Sequence, residues 1–176
     1  MKNWYFNQYM PRMIDVLKKH YKPRPGLAEI LQRIDSPECS IKTAVYSDYP
    51  FLKERMQAIG LPAYKQIRLF TLDTFGAQKP AVRPFLEIAK EMGLPPKEIL
   101  VIGDRIDTDG HGAFSAGMQF YCLEASRKNF LRLDPNLPTK KDITPHDPIR
   151  LTTLPNGYTK AGKWDELLKL LLAKIS

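Results

Sequence analysis

Ile99-Leu100-Val101-Ile102-Gly103-Asp104-Arg105-Ile106-Asp107-Thr108-Asp109 is a short apolar run that ends in glycine and then presents carboxylates at three positions. Four consecutive apolar residues closed by glycine read as a short apolar strand. The acids that follow fit a turn opening into a helix, whose dipole favours negative charge at its start. Downstream, a small helix is expected to end near Gly117, and Gln119 to Leu123 reads as another strand. Upstream, Pro80 opens a helix with Val82, Phe85, Leu86, Ala89 and Met92 on one face, which stops at Gly93-Leu94-Pro95. The same stop occurs at Gly60-Leu61-Pro62: a left-handed glycine, an apolar contact and a proline that cannot continue a helix. Between the two stops lie a strand, Arg68 to Leu72, and a loop through Gly76. Ile41 to Tyr46 (IKTAVY) is a further strand, passing into Ser47-Asp48-Tyr49-Pro50, where Asp48 suits an N-cap and Pro50 a first helical turn. Strands that alternate with helices imply parallel pairing and an α/β layer fold.

The flanks are simpler. Phe6, Met10, Met13, Ile14 and Leu17 recur at helical spacing, so the N-terminus reads as an amphipathic helix ending near His20. Lys22 to Gly26 (KPRPG) breaks the chain, and Leu27 to Ile34 resumes as a short helix. After Leu123 the pattern weakens: Ser126 to Gly162 is basic and rich in proline and turn residues, with a short strand around Ile149 to Thr152. Trp164 to Ile175 closes the chain as an amphipathic helix carrying Leu167, Leu168, Leu171 and Leu172. The division is therefore a helical segment over 1–24 and an α/β core over 25–176, with the basic connection at 126–162 inside the core.

At 176 residues, 43% hydrophobic and 26% charged, the chain has the size and balance of one globular domain. No apolar run approaches the about 20 residues needed to cross a bilayer. The opening residues lack the basic, apolar and small-residue sections of a secretion signal, so no membrane partner and a cytoplasmic site are expected. Cys39 and Cys122 lie far apart without metal-ligand spacing and read as reduced thiols. The formal net charge of +8 is scattered along helices without interleaved aromatics, so it reads as a solvated surface and not as a nucleic-acid site. The basic 126–162 stretch is the one place where nucleic acid would find a contact.

Open parallel sheets bind ligands at the carboxyl ends of their strands. Ser47 and Asp48 follow the first strand, Lys79 precedes a helix, and Asp104 and Asp109 flank the turn after Ile99 to Gly103. Each has a local explanation as a turn, capping or surface residue. Together they form a coherent set: a hydroxyl and helix-start amides for phosphate oxygens, an ammonium to balance charge, and carboxylates for Mg²⁺.

On these residues the sequence resembles the haloacid dehalogenase (HAD) superfamily from about Pro25 to Leu123. AVYSDYP with Ser47 is similar to the family's second motif, GAQKP with Lys79 to its third, and GDRIDTD from Gly103 to Asp109, continuing as GHGAFSAGM, to its fourth. The resemblance implies a Rossmann-like core, a parallel sheet flanked by helices, acting as a Mg²⁺-dependent phosphomonoester phosphatase on a small phosphorylated molecule. By the same resemblance Ser47 and Asp48 bind phosphate, Lys79 holds phosphate and nucleophile and is the catalytic candidate, Asp104 ligates Mg²⁺, and Asp109 supports the metal site. Arg105 and Asp107 stand at variable positions and receive no role.

The family's first motif, a strand ending in two aspartates separated by one residue, has no counterpart before Ser47. The earlier acids are Asp15, Glu29, Asp35 and Glu38. The resemblance would place that strand at the middle of the sheet, so the central strand is expected to be missing, and with it the aspartate that forms the aspartyl-phosphate. Three explanations stay open: a fragment in which residues 1–24 are the remnant of a cap, a short homologue that binds a phosphorylated ligand or a protein without turnover, or a second chain, a homo-oligomeric copy or another partner, that donates the strand.

Overall fold

The computed structural model describes residues 2–123 and 159–175. Five parallel strands form two sheets. β1 (Ala44–Ser47) pairs with β2 (Arg68–Thr71) in a register that sets Ser47 beside Thr71. β3 (Leu100–Gly103) pairs with β4 (Gln119–Leu123), and β4 with β5 (Thr159–Gly162). Among the described residues β1 has no partner but β2, and β3 none but β4, so each keeps an unpaired edge. This is the α/β layer fold expected, with its sheet in two pieces.

The helices are α1 (Met10–His20), α2 (Leu27–Ile34), α3 (Leu52–Ala58), the single turn α4 (Leu72–Phe75), α5 (Val82–Met92), α6 (His111–Ser115) and α7 (Trp164–Ile175). A short helical lead, Lys2–Trp4, and a wide π-type turn, Tyr5–Tyr9, run directly into α1. Both Gly-Leu-Pro stops form as the residues dictate. Gly60 and Gly93 take φ of 93° and 62°, and the N–H groups of Leu61 and Leu94 reach back to the carbonyls of Met56 and Ala89.

α5 joins the two sheets. Phe85 and Ala89 pack with Ala113, Met118 and Phe120, under β3 and β4. Ile88 and Met92 pack with Phe70 and Phe75, under β2, with Ala44 and Tyr46 of β1 against them. A third cluster joins Ile30, Leu31 and Ile34 of α2 to Leu52 and Met56 of α3, closed by Leu168, Leu171 and Leu172 of α7. The start of α7 is fastened to the segment before α2 there: Trp164 Nε1 donates to the Pro25 carbonyl at 2.7 Å, and the Arg24 guanidinium lies 5.9 Å from the Trp164 ring centroid.

Four expectations are corrected. Leu86 is 44% exposed and Ile88 takes its place on the buried face of α5, because that face follows the i, i+3, i+4 stripe through Phe85, Ile88, Ala89 and Met92. Asp48 is not an N-cap: α3 starts at Leu52, behind Phe51 at a left-handed φ of 56°. The first strand begins at Ala44, not Ile41. Thr159–Gly162, read as connection, is a strand, because pairing with β4 supplies the order that Lys and Gly do not. The strand expected near Ile149 to Thr152 lies outside the described residues.

Asp35 anchors the approach to β2, accepting the N–H groups of Lys65 and Gln66 at 3.0 and 2.6 Å. Those bonds, that of Lys65 first, hold its carboxyl below the ordinary carboxylate range. Stabilisation of that kind is present above the unfolded-state pKa and disappears as pH falls through the folded one. Asp35→Asn should therefore lower the thermal midpoint at pH 7, and the deficit against the parent should close on acidification through about pH 4 and below. Phe85, 3% exposed, supports the bridge between the sheets. Phe85→Ala is expected to cost about 3–5 kcal/mol in urea unfolding, and a loss under 1 kcal/mol would count against the bridge.

Candidate functional site

The carboxyl ends of β1 and β3 open on one cavity of about 620 Å³. Ser47 is the last residue of β1, Asp48 follows it, Lys79 lies in the loop ahead of α5, Asp104 follows β3, and Asp109 sits in the wide turn Ile106–Gly110 that leads into α6. All five line this cavity, so three segments distant in the chain meet at one rim of the fold.

Lys79 joins them. Its backbone N–H donates to Asp48 Oδ1 at 3.1 Å and its Nζ to Asp109 Oδ1 at 2.7 Å, with the two side chains of the ion pair 16% and 12% exposed. The ammonium also lies 5.2 Å from the Tyr46 ring centroid, within cation–π range. Asp109 reaches this position because Gly103 has no side chain: a Cβ there would stand 2.6 Å from the Asp109 Cβ.

Tyr46 forms the apolar wall beneath. Its hydroxyl donates to the Ala77 carbonyl at 3.1 Å, and its ring meets Phe75 and Phe85 edge-on. Burial, reinforced by the charge of Asp48, pushes its phenol well above the ordinary tyrosine value, so the group stays neutral. Arg105 lines the cavity and is held by a bidentate pair with Asp107 at 3.1 and 2.5 Å, the hydrogen bond that also holds the Asp107 carboxyl low. Ser47 Oγ accepts from Arg55 Nη1 at 2.8 Å and from the Tyr49 N–H at 3.2 Å.

The sequence reading missed Tyr46, which lines the cavity beside Tyr5 and Phe6, and Arg55, which stands behind Ser47. Helical side chains lean toward the helix N-terminus, so Arg55 reaches back to the end of β1. That geometry was legible only with α3 placed at Leu52.

The cavity rim carries four carboxylates, Asp48, Asp73, Asp104 and Asp109, against two cations, Lys79 and Arg105. Such a site suits a hard cation together with an anion. Among the described residues no group of three or more His, Cys, Asp or Glu stands together as a complete metal cage. Mg²⁺ does not need one, since it keeps waters and commonly takes one or two carboxylates plus phosphate oxygens. The donor set therefore fits it.

A parallel α/β core with a polar cavity at the carboxyl ends of its strands is a Rossmann-like arrangement. The profile of the haloacid dehalogenase-like hydrolases matches residues 5–117, and the chain belongs to that family. It is 41% identical over 46 residues to a glyceraldehyde 3-phosphate phosphatase of Methanopyrus kandleri, a stretch covering 26% of this chain and 20% of that protein. Its fold is similar to that of a beta-phosphoglucomutase candidate from Thermotoga maritima, with TM-score 0.62, 22% identity and coverage of 90% of this chain and 63% of that one. It is likewise similar to a HAD family hydrolase of Deinococcus radiodurans R1 with bound phosphate and sodium, with TM-score 0.57, 20% identity and coverage of 99% and 73%. The chain thus spans a fifth of the curated relative it matches and under two thirds of the Thermotoga structure. No described helix is long and apolar enough to cross a membrane.

Lys79→Met strands the Asp109 carboxylate without its partner. A loss of about 2–3 kcal/mol is expected, below the full cost of breaking a buried pair because both groups touch solvent. Lys79→Met/Asp109→Asn should recover part of it in chemical denaturation. Equal losses would show that the uncompensated charge is not the cause.

Proposed function

We propose that the cavity binds the phosphoryl group of a small phosphorylated molecule together with Mg²⁺, and that the chain carries this half of a phosphomonoester hydrolase site. The observation that supports it is the meeting of Ser47, Lys79, Asp104 and Asp109 on one cavity at the strand ends. Ser47 donates its hydroxyl to a phosphate oxygen. Lys79 offsets phosphate charge from its seat on Asp109, and Asp48 fixes the backbone of Lys79. Asp104, exposed beside β3, ligates the metal, and Asp109 supports its water shell. Mg²⁺, when bound, neutralises and orients phosphoryl oxygens.

Hydrolysis through an aspartyl-phosphate needs a carboxylate nucleophile. None of the acids before Ser47 lines the cavity. Glu29 pairs with Arg33, Asp35 holds Lys65 and Gln66, Glu38 bonds Ser36, and Asp15 lies on α1. This favours binding without turnover by the residues in hand, with hydrolysis when the carboxylate comes from a further segment or another chain. The unpaired edges of β1 and β3 would take such a strand, and residues 1–24 are then the remnant of a cap over the cavity.

The test is calorimetric binding of inorganic phosphate with and without Mg²⁺, beside hydrolysis of p-nitrophenyl phosphate. Phosphate binding strengthened by Mg²⁺, weakened about tenfold or more by Asp104→Asn, and no turnover above background are expected. Turnover that Asp104→Asn abolishes would defeat the non-catalytic reading. Absence of phosphate binding under both conditions would defeat the site itself.

A further inference from the structure

Ser47 Oγ receives two hydrogen bonds, from Arg55 Nη1 at 2.8 Å and from the Tyr49 N–H at 3.2 Å. A hydroxyl has two acceptor lone pairs and one proton. With both lone pairs engaged, Ser47 has only its proton left to offer, and it lines the cavity. What it can bind there is an acceptor.

Arg55 is unusual in its own right. Its guanidinium is partly buried beneath the Tyr49 ring, 5.6 Å from the centroid, and its Nε is buried with no hydrogen-bond partner. Among the described residues it makes no ion pair with any carboxylate. A cation withdrawn from water without a counter-charge is costly, and burial accordingly lowers its pKa. The nearest acid in sequence to Ser47, Asp48, is engaged with the Lys79 N–H. The uncompensated charge therefore lies directly behind a hydroxyl that can only donate.

We propose that Arg55 is a positioning residue for a phosphoryl group in this cavity: it holds Ser47 Oγ as an acceptor, so that the hydroxyl proton points to the phosphate, and its charge offsets that of the phosphate from behind Ser47. The inference rests on the phosphate-binding reading of the cavity. A purely structural Arg55 would change stability and leave anion affinity alone.

Inorganic phosphate is titrated in Mg²⁺ into the unmodified chain, Arg55→Met, Arg55→Lys, Ser47→Ala and Ser47→Ala/Arg55→Met, with melting curves for each. Arg55→Met should weaken phosphate binding about tenfold or more, and Arg55→Lys, which keeps the charge, should fall between it and the parent. The double variant should bind within about twofold of the weaker single variant, because both changes remove one coupled interaction. Affinity of a folded Arg55→Met within twofold of the parent, or fully additive losses, would overturn the proposal. A measurement on the unmodified chain needs no variant to fold: the Arg55 Nε–H nitrogen-15 resonance should shift on phosphate titration, and constancy at saturation would overturn the proposal. If the unmodified chain binds no phosphate, the cavity reading falls together with Arg55, whereas unchanged binding by Arg55→Met removes Arg55 alone.

Discussion

Lys79 is the residue on which the geometry of the cavity depends. Its amide is held by the carboxylate that follows β1 and its ammonium by the carboxylate that precedes α6, so one residue, by backbone and side chain, ties the ends of two sheets that share no strand. One bond holds the segment after β1 and the other the turn after β3. Buried ion pairs contribute little net stability, because desolvation cancels much of the attraction. The value of this one lies in position. Stability comes from below, where α5 presents Phe85 and Ala89 to one sheet and Ile88 and Met92 to the other.

That division explains why the two sheets remain apart without the molecule losing its core. Unpaired strand edges are ordinarily a liability. Here the apolar helix under both sheets carries the packing, while the edges of β1 and β3 keep open backbone donors and acceptors. Leu100 and Ile102 of β3, 45% and 42% exposed, mark the face that this arrangement leaves uncovered. The polar residues gather at one rim, and the sheet is divided beside that rim.

Much of this was legible in the sequence because it rests on local chemistry. The Gly-Leu-Pro stops, the ILVIG strand, the strand Gln119–Leu123 and the closing helix each follow from residues that permit few alternatives. Ser47, Asp48, Lys79, Asp104 and Asp109 could be singled out because each follows a strand or opens a helix in a recognisable pattern. What was not legible depends on pairing or on reach. Thr159–Gly162 has no strand character of its own and takes it from β4. Asp48 looked like a cap until its partner proved to be an amide 31 residues away. Ile88 and not Leu86 completes the buried stripe with Phe85, Ala89 and Met92, because both positions stand at helical spacing from shared neighbours and only packing decides between them. Arg55 was hidden by the placement of a helix start, which decides what a long side chain can touch.

The bond from Trp164 to the Pro25 carbonyl bears on how the chain matures. α7 seals the cluster that α2 and α3 begin, and its indole fastens onto the segment that introduces α2. During synthesis α2 and α3 therefore emerge well before the helix that closes their cluster, and the apolar surface it covers waits until Trp164–Ile175 has followed.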